Sequence, residues 1–204
     1  MIGFDLIAWP PQLPSQLGSS RWAQKVLGPE EWTCYQQHAH LRWYVAQCWA
    51  AKEAQFKLLC QLGQASGFKP KALPLPNFPL KLAWQTSAGR QDPPWHALGD
   101  LPAPSSARSG FLMALSSLSE VNWAHLAVYV EYHPGLSPAS RSERLAEQLI
   151  TFWSEQTQEP KDTWSLQKEA NGLPKLWHRG KVYPLAFSLS HDGPWLGMAI
   201  NCQV

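Results

Sequence analysis

Apolar residues occur along the chain in short runs that predict strands and in longer periodic stretches that predict helices. The first run, residues 2–8, is nearly continuous and is followed by two prolines, which is typical of a buried strand that ends there. Three helices are predicted: one capped by Ser19 or Ser20 and ended by Gly28, one from Pro29 onward, and one from about Leu41 to Leu62. The first part of the chain therefore predicts one strand and then helices, the last of them long.

The rest of the chain predicts mainly strands. Eight of the 18 prolines lie between Gly63 and Gly110, so this segment is interpreted as an ordered, irregular connection that contains one strand. Further on, the pattern predicts a helix that begins with a capping box from Ser140 to Glu143. The predicted strands are 80–85, 110–118, 123–132, and two more around a turn at Asp192-Gly193.

A candidate boundary between two halves lies at SEVN, residues 119–122. Residues 113–115, MAL, resemble residues 198–200, MAI, and each triplet lies on the predicted last strand of its half. Echoes this short are common by chance, so this one adds only modest support to a duplication.

Composition and charge limit the function classes. The 204 residues suffice for one domain or two small ones, and 45% of them are apolar, which is enough for a core. Only 16% are charged and the net charge is +2, so no broad surface for nucleic acid is expected, and the 12 tryptophans are interpreted mainly as core. Without a secretory signal or an apolar run near the ~20 residues of a membrane-spanning helix, we expect a cytoplasmic protein with no membrane partner.

Two carboxylates lie where a packed face is predicted. Alternation along the first strand places Asp5 on one face with Gly3 and Ile7, and a buried carboxylate needs a cation, hydrogen-bond donors or solvent. Glu53 projects from the packed stripe of the long helix, one turn before Lys57. A magnesium ion shared by Asp5 and Glu53 and completed by phosphate oxygens satisfies both. An arginine beside Asp5, and an ordinary i, i+4 pair of Glu53 with Lys57, remain alternatives.

A third candidate is the sequence SLSHDG near the end of the chain. Ser190 and His191 are adjacent and so point to opposite faces of a strand, which disfavours a pair of nucleophile and base. At a strand end, their NH, hydroxyl and imidazole groups can instead bind phosphate. A structural role for the histidine is the alternative.

Four motifs together resemble those of phosphopantetheinyl transferases. IGFDLI and WAAKEAQFK resemble the G-x-D strand and the W/F-x-x-K-E-A/S-x-x-K helix of that family. ANGLPKL and FSLSHDG resemble its G-K-P turn and its S-x-S-H strand, whereas the resemblance is thin between residues 63 and 109. The short, trimeric holo-acyl-carrier-protein synthases begin with G-x-D, but members with two fused halves carry the S-x-S-H half first.

This resemblance implies an α+β fold of two similar halves in swapped order. Residues 1–118, with the G-x-D and W-x-x-K-E-A motifs, resemble the usual second half, and residues 122–204, with the S-x-S-H motif, resemble the usual first half. Each half would be a small antiparallel sheet packed against a long helix. The two would form a pseudo-dimer with one cleft.

The resemblance also implies an activity. The family transfers the phosphopantetheine arm of coenzyme A to a serine of an apo acyl or peptidyl carrier protein, with Mg²⁺, as in fatty acid or polyketide biosynthesis, and releases adenosine 3′,5′-bisphosphate. Asp5 and Glu53 match the metal-binding carboxylates, and Glu53 would also help to remove the serine proton. Lys57 matches the lysine that meets the phosphate and offsets charge as the diphosphate bond breaks.

Coenzyme A contacts are implied on the other half of the chain. Ser190 and His191 match phosphate contacts of the S-x-S-H strand, and Arg144 is placed for the 3′-phosphate. Leu173 stands where the family's turn has lysine, so one phosphate contact is missing unless Lys175 or Arg179 substitutes. This departure supports an alternative function, a non-catalytic module that binds coenzyme A or a carrier protein.

Further features leave roles open. Ile7 stands where many fused-half members have a second acid, so the resemblance implies a metal site with two carboxylates. Lys52 belongs to the helix motif but points about 100° away from Glu53, so a structural or peripheral role is as well supported as a role in the site. Arg21 and Lys25 either meet an acidic carrier-protein helix or form a solvated face. A purely structural domain, with its acids paired to basic groups, is the second alternative.

Overall fold

The structure is a computed structural model that describes residues 1–9, 20–65, 67–75, 80–86, 89–91, 95–98, 100–101, 103, 110–117, 125–170 and 172–202. Its helices are α1 (Ser20–Val26), α2 (Pro29–Gln37), α3 (Leu41–Gln61) and α4 (Pro138–Thr157). Its strands are β1 (Ile2–Trp9), β2 (Leu80–Gln85), β3 (Gly89–Gln91), β4 (Gly110–Ser117), β5 (Leu126–Tyr132), β6 (Trp164–Lys168), β7 (Pro174–His178), β8 (Lys181–Val182), β9 (Ala186–Asp192) and β10 (Trp195–Asn201). The predicted α+β class is confirmed.

The described strands form three antiparallel sheets. Their strand orders are β1-β4-β2, β3-β5-β10-β9 and β6-β7-β8. The first two sheets have the same connectivity: strand, long helix, strand, and a last strand that lies in the middle. The MAL and MAI triplets occupy those two middle strands, β4 and β10. The shared connectivity supports two similar halves.

The arrangement of the halves as a pseudo-dimer stays a prediction. The proposed boundary at residues 119–122 lies outside the described residues. Strand β3 belongs to the first half by sequence but pairs with β5 of the second sheet. The pairing of β3 with β5 therefore joins the two halves in addition to the candidate linker.

Strand β1 separates two different environments, as its alternation predicts. Ile2, Phe4 and Leu6 are buried in a cluster that also contains residues of β5 and β10. Ile7 on the opposite face packs with alanines of α3. Burial of apolar surface on both faces fixes the register of β1 and turns Asp5 toward the helix.

The start of α4 differs from the prediction. The helix begins at Pro138, and the Ser137 hydroxyl accepts a hydrogen bond from the Ser140 N–H at 3.2 Å. The predicted capping box from Ser140 to Glu143 is therefore wrong. Proline suits the first helical position because its missing N–H has no intrahelical partner there, so the cap lies three residues earlier.

Among the described residues, no helix combines the length and the apolar character needed to cross a membrane.

Candidate active site

A cavity of about 360 Å³ lies between β1, α3 and the end of β9. Its lining combines carboxylates with aromatic and aliphatic side chains. The lining residues are Asp5, Leu6, Ile7, Trp22, Ala46, Trp49, Glu53, His191 and Asp192. Residues from both ends of the chain therefore meet at one site.

The close approach of α3 to β1 brings this chemistry together. A side chain at Gly3 would collide with the backbone carbonyl of Ala54, so only glycine fits at this position. Ala50 and Ala54 are fully buried, and their small side chains also let the helix lie close to the strand. The glycine of G-x-D and the alanine of K-E-A thus meet, and Glu53 and Lys57 are held beside Asp5.

Asp5 is 2% exposed, and its two carboxylate oxygens differ in their hydrogen bonding. Its Oδ1 accepts hydrogen bonds from Lys57 Nζ at 2.8 Å and from Ser190 Oγ at 2.7 Å. Its Oδ2 is buried and accepts no hydrogen bond from the described residues. A buried carboxylate oxygen without a donor is costly, which makes Oδ2 a candidate ligand atom for a cation.

Lys57 connects the two carboxylates. Its Nζ lies 2.8 Å from Asp5 Oδ1 and 3.8 Å from Glu53 Oε1, so these two oxygens are no farther apart than the sum of the two distances. The same ammonium group donates to the Phe4 carbonyl and to Ser190 Oγ, each at 3.1 Å. The i, i+4 pair foreseen as an alternative is present, and it exists together with the convergence on Asp5.

The site carries excess negative charge. Burial and the charge of Asp5 raise the pKa of Glu53 to about 7, although Lys57 acts in the opposite direction. Burial also raises the pKa of Asp192, and Asp5 adds to this effect. Three carboxyl groups that line one cavity disfavour further negative charge and favour a bound cation.

Side chains of β9 bind the backbone of β1. Alternate residues of β9 accept hydrogen bonds from alternate N–H groups of β1: Ser188 Oγ from Phe4 at 3.0 Å, Ser190 Oγ from Leu6 at 3.3 Å and Asp192 Oδ2 from Ala8 at 2.9 Å. Gln61 of α3 adds a further link, since its Nε2 donates to the carbonyls of Ile2 and Phe187. The S-x-S-H strand therefore joins the first sheet to the second.

Two basic side chains lie near the end of β9. His191 is exposed and lines the cavity, and desolvation together with the positive charges of Arg141 and Lys57 lowers its pKa. Arg141 lies on α4, and its Nε atom is buried and forms no hydrogen bond with the described residues. The charge of Arg141 acts on His191, so these two side chains lie near each other at the end of β9.

Comparison with known proteins agrees with this geometry. Residues 1–96 match the family model of the 4′-phosphopantetheinyl transferase superfamily. The matched segment comprises 96 of the 204 residues. It contains Asp5, Glu53 and Lys57, so the resemblance drawn from the G-x-D and W-x-x-K-E-A motifs is confirmed. No curated protein and no solved structure matches the chain.

Two residues predicted to contact coenzyme A lie away from this cavity. Arg144 Nε and Nη2 donate to Glu131 at 3.1 and 3.3 Å, and Nη1 donates to Glu147 at 2.8 Å. Lys175 and Leu173 line a separate cavity of about 340 Å³. Neither Arg144 nor Lys175 lines the cavity with Asp5, and their roles as coenzyme A contacts stay predictions.

Arg179, the other proposed substitute at the turn, also has a protein partner, because its Nη2 donates to Glu159 at 2.7 Å.

Lys52, the remaining charged residue of the helix motif, is buried and contacts only protein groups among the described residues. It is 0% exposed, and its Nζ lies 2.7 Å from Glu31 Oε2. It also donates to the carbonyls of Pro70 and Leu73 at 2.8 and 2.6 Å. The structural interpretation of Lys52 agrees with these contacts, which join α3 to α2 and to the segment after α3.

Sequence reasoning missed Asp192, Arg141 and Trp22. Asp192 continues the alternation of Ser188 and Ser190, and this spacing was the available signal for its position. Trp22 packs against Trp49 with ring centroids 5.2 Å apart, and both line the cavity. No local pattern indicated that α1 would reach the site.

The residues present fit magnesium. Among the described residues, no group of three or more His, Cys, Asp or Glu side chains is arranged to hold a metal ion. Magnesium is commonly held by one or two carboxylates, and waters and phosphate oxygens complete its octahedron. Asp5, with its unsatisfied Oδ2, and Glu53 meet that requirement.

Proposed function

We propose that this chain transfers the phosphopantetheine arm of coenzyme A to a serine hydroxyl of an apo acyl or peptidyl carrier protein, in a reaction that requires Mg²⁺. The family match supports phosphopantetheinyl transfer in general. The observation that carries the finer proposal is that Asp5 and Glu53 line one cavity and that Lys57 forms an ion pair with each of them. The cytoplasmic location and the choice of carrier stay predictions.

Asp5 Oδ2 and the Glu53 carboxylate would hold the metal ion. A bound Mg²⁺ supplies positive charge that offsets the negative charge of a diphosphate. Lys57 already lies beside Asp5 and Glu53, so its ammonium group can contact a phosphate oxygen by exchanging one of its present partners. This division of roles relies on positioning and electrostatics, which dominate phosphoryl transfer.

Glu53 is proposed to accept the proton of the acceptor serine, directly or through water. Burial and Asp5 raise the pKa of Glu53 to about 7 in the metal-free site, and a bound cation would lower it, so that the carboxylate would be ionised and able to accept a proton at neutral pH. The serine oxygen then forms a bond to the phosphorus that carries the pantetheine arm. The bond from that phosphorus to the leaving phosphate oxygen breaks and releases adenosine 3′,5′-bisphosphate.

His191 is proposed to contact the phosphates of coenzyme A, and Arg141 joins it as a candidate for the nucleotide side. His191 lines the cavity, and the charge of Arg141 acts on it. To contact coenzyme A, Arg144 would have to break its hydrogen bonds to Glu131 and Glu147, and coenzyme A would have to reach Lys175 at the separate cavity.

The alternative function is a binding module that has lost turnover. It is favoured by Leu173, which replaces the expected lysine and lies with Lys175 at the separate cavity. Coenzyme A binding without transfer would distinguish this module from an enzyme.

The test is transfer of a labelled pantetheine arm from coenzyme A to apo carrier proteins of both the acyl and peptidyl classes, with Mg²⁺. We expect Glu53→Gln to lower kcat by about 10²- to 10⁴-fold, the usual contribution of general base catalysis. Glu30→Gln, an exposed change on α2, is the matched control and should retain activity. Wild-type protein that binds coenzyme A but labels neither carrier would favour the binding module.

A further inference from the structure

The hydroxyl of Ser190 forms three hydrogen bonds within the protein. The side chain is 6% exposed, and its oxygen accepts from the Leu6 N–H at 3.3 Å and from Lys57 Nζ at 3.1 Å. It donates its single proton to Asp5 Oδ1 at 2.7 Å. The hydroxyl is therefore fully occupied by protein groups.

These hydrogen bonds determine the orientation of the Asp5 carboxylate. Ser190 and Lys57 both donate hydrogen bonds to Oδ1, whereas Oδ2 accepts no hydrogen bond from the described residues. Ser190 is itself fixed by its bond to the backbone of β1, which makes it a rigid donor. Rotation of the carboxylate would break two charge-assisted hydrogen bonds and is therefore disfavoured.

We infer that Ser190 is a positioning residue that orients Asp5, so that Oδ2 is presented to a divalent cation. The inference rests on the proposed function in that it takes Asp5 as a metal ligand. It gives Ser190 a role different from the predicted contact with a coenzyme A phosphate. It also makes the metal site depend on both sheets, because Asp5 lies on β1 and Ser190 on β9.

The chain offers a matched control two residues away. Ser188 lies on the same face of β9 and is 4% exposed. Its Oγ accepts from the Phe4 N–H at 3.0 Å and donates to the Phe4 carbonyl at 3.4 Å. Loss of either serine hydroxyl removes a link between β9 and β1, but the hydrogen bond to Asp5 is made by Ser190.

The experiment measures Mn²⁺ binding to the intact protein by the electron paramagnetic resonance signal of the free ion. Mn²⁺ prefers the same oxygen ligands as Mg²⁺, and Asp5→Asn defines the signal that depends on Asp5. We expect Ser190→Ala to weaken this binding by about 10- to 100-fold, as loss of a residue that orients a metal ligand does. Ser188→Ala should leave Mn²⁺ binding nearly unchanged, although it should lower thermal stability about as much as Ser190→Ala does.

If Ser190→Ala does not fold, Ser190→Cys replaces it, since a thiol keeps the volume but donates weakly. Equal weakening in the Ser188 and Ser190 variants would overturn the inference and leave Ser190 as a link between strands. The absence of Asp5-dependent Mn²⁺ binding in the wild type would overturn it as well. Wild-type protein that binds Mn²⁺ but transfers no pantetheine arm would refute the proposed function alone, and the comparison of variants would still decide the role of Ser190.

Discussion

Gly3 has no room for a side chain, because the backbone of α3 occupies the space where a Cβ would stand. Gly3→Ala should therefore push the helix away from β1 and lower the free energy of unfolding by about 1–3 kcal/mol or more. Urea denaturation of the variant and the wild type measures this change.

Gly67→Ala is the control for Gly3→Ala, since no atom lies within 4 Å of a Cβ built at Gly67. It should leave the free energy of unfolding close to that of the wild type. Equal stability of the Gly3 variant would show that the close approach of strand and helix is not required.

Glu53 should make the metal-free protein less stable as the pH rises. Its pKa is about 7 in the folded state and lies near 4.5 when unfolded, so the folded state binds more protons between these two values. Stability therefore falls as the pH rises from about 4.5 to about 7. Glu53→Gln removes this dependence and should raise Tm at pH 8, on the order of 2–4 °C for each kcal/mol gained.

The measurement is thermal unfolding of wild-type protein and the Glu53→Gln variant at pH 5 and pH 8 in the presence of a chelator. Glu30→Gln again serves as the exposed control. A difference between Glu53→Gln and wild type that does not grow with pH would contradict the assignment of the raised pKa to Glu53.

Individual site residues could be predicted where a local motif places them. Asp5, Glu53 and Lys57 follow from strand alternation and helix spacing, which are properties of one element each. Asp192 and Arg141 could not be predicted in this way, because their positions depend on which strand lies beside β1 and on how α4 packs. The occupied hydroxyl of Ser190 has the same origin, since its partners lie about 130 and 185 positions away in the chain.

The helices around the site are held by a buried ion pair between α2 and α3. Lys52→Met keeps most of the side chain's length and apolar volume but leaves Glu31 without its cation. Removal of one partner of a buried pair costs about 3–5 kcal/mol, so urea denaturation should show a loss of that size. Lys25→Met on α1, where the lysine is exposed, should cost little.

The double variant Lys52→Met, Glu31→Gln separates charge from packing. A neutral glutamine is less costly to bury, so the double variant should recover part of the loss. A double variant as unstable as the single one would indicate that the bonds from Lys52 to the carbonyls of Pro70 and Leu73 dominate.

Elements with a strong apolar pattern were predicted to within a few residues. The helix α3 ends one residue before its predicted end, and β4 begins at its predicted residue, Gly110, whereas its predicted end at residue 118 lies outside the described residues. β3 was missed because three residues carry no pattern, and the small sheet of β6, β7 and β8 was not foreseen because its strands are short and partly exposed. The start of α4 was misplaced because two serines three residues apart both satisfy a local capping signal.

The first two sheets should unfold together. Phe4 and Leu6 of β1 are buried in the same cluster as Val128, Val130 and Trp195 of the second sheet. Calorimetry should therefore give a single transition with a van't Hoff enthalpy close to the calorimetric enthalpy. Two resolved transitions would show that the halves are independent domains.

Strand β9 completes a site whose other parts lie on β1, near the start of the chain, and on α3, in its first third. During synthesis, Asp5, Glu53 and Lys57 leave the ribosome long before Ser190 and His191 exist. A nascent or shortened polypeptide would lack the hydrogen bonds that β9 makes to Asp5 and to the backbone of β1. If the proposed function holds, competence for transfer would therefore arise only after translation has passed β9, and unfinished copies would be inert.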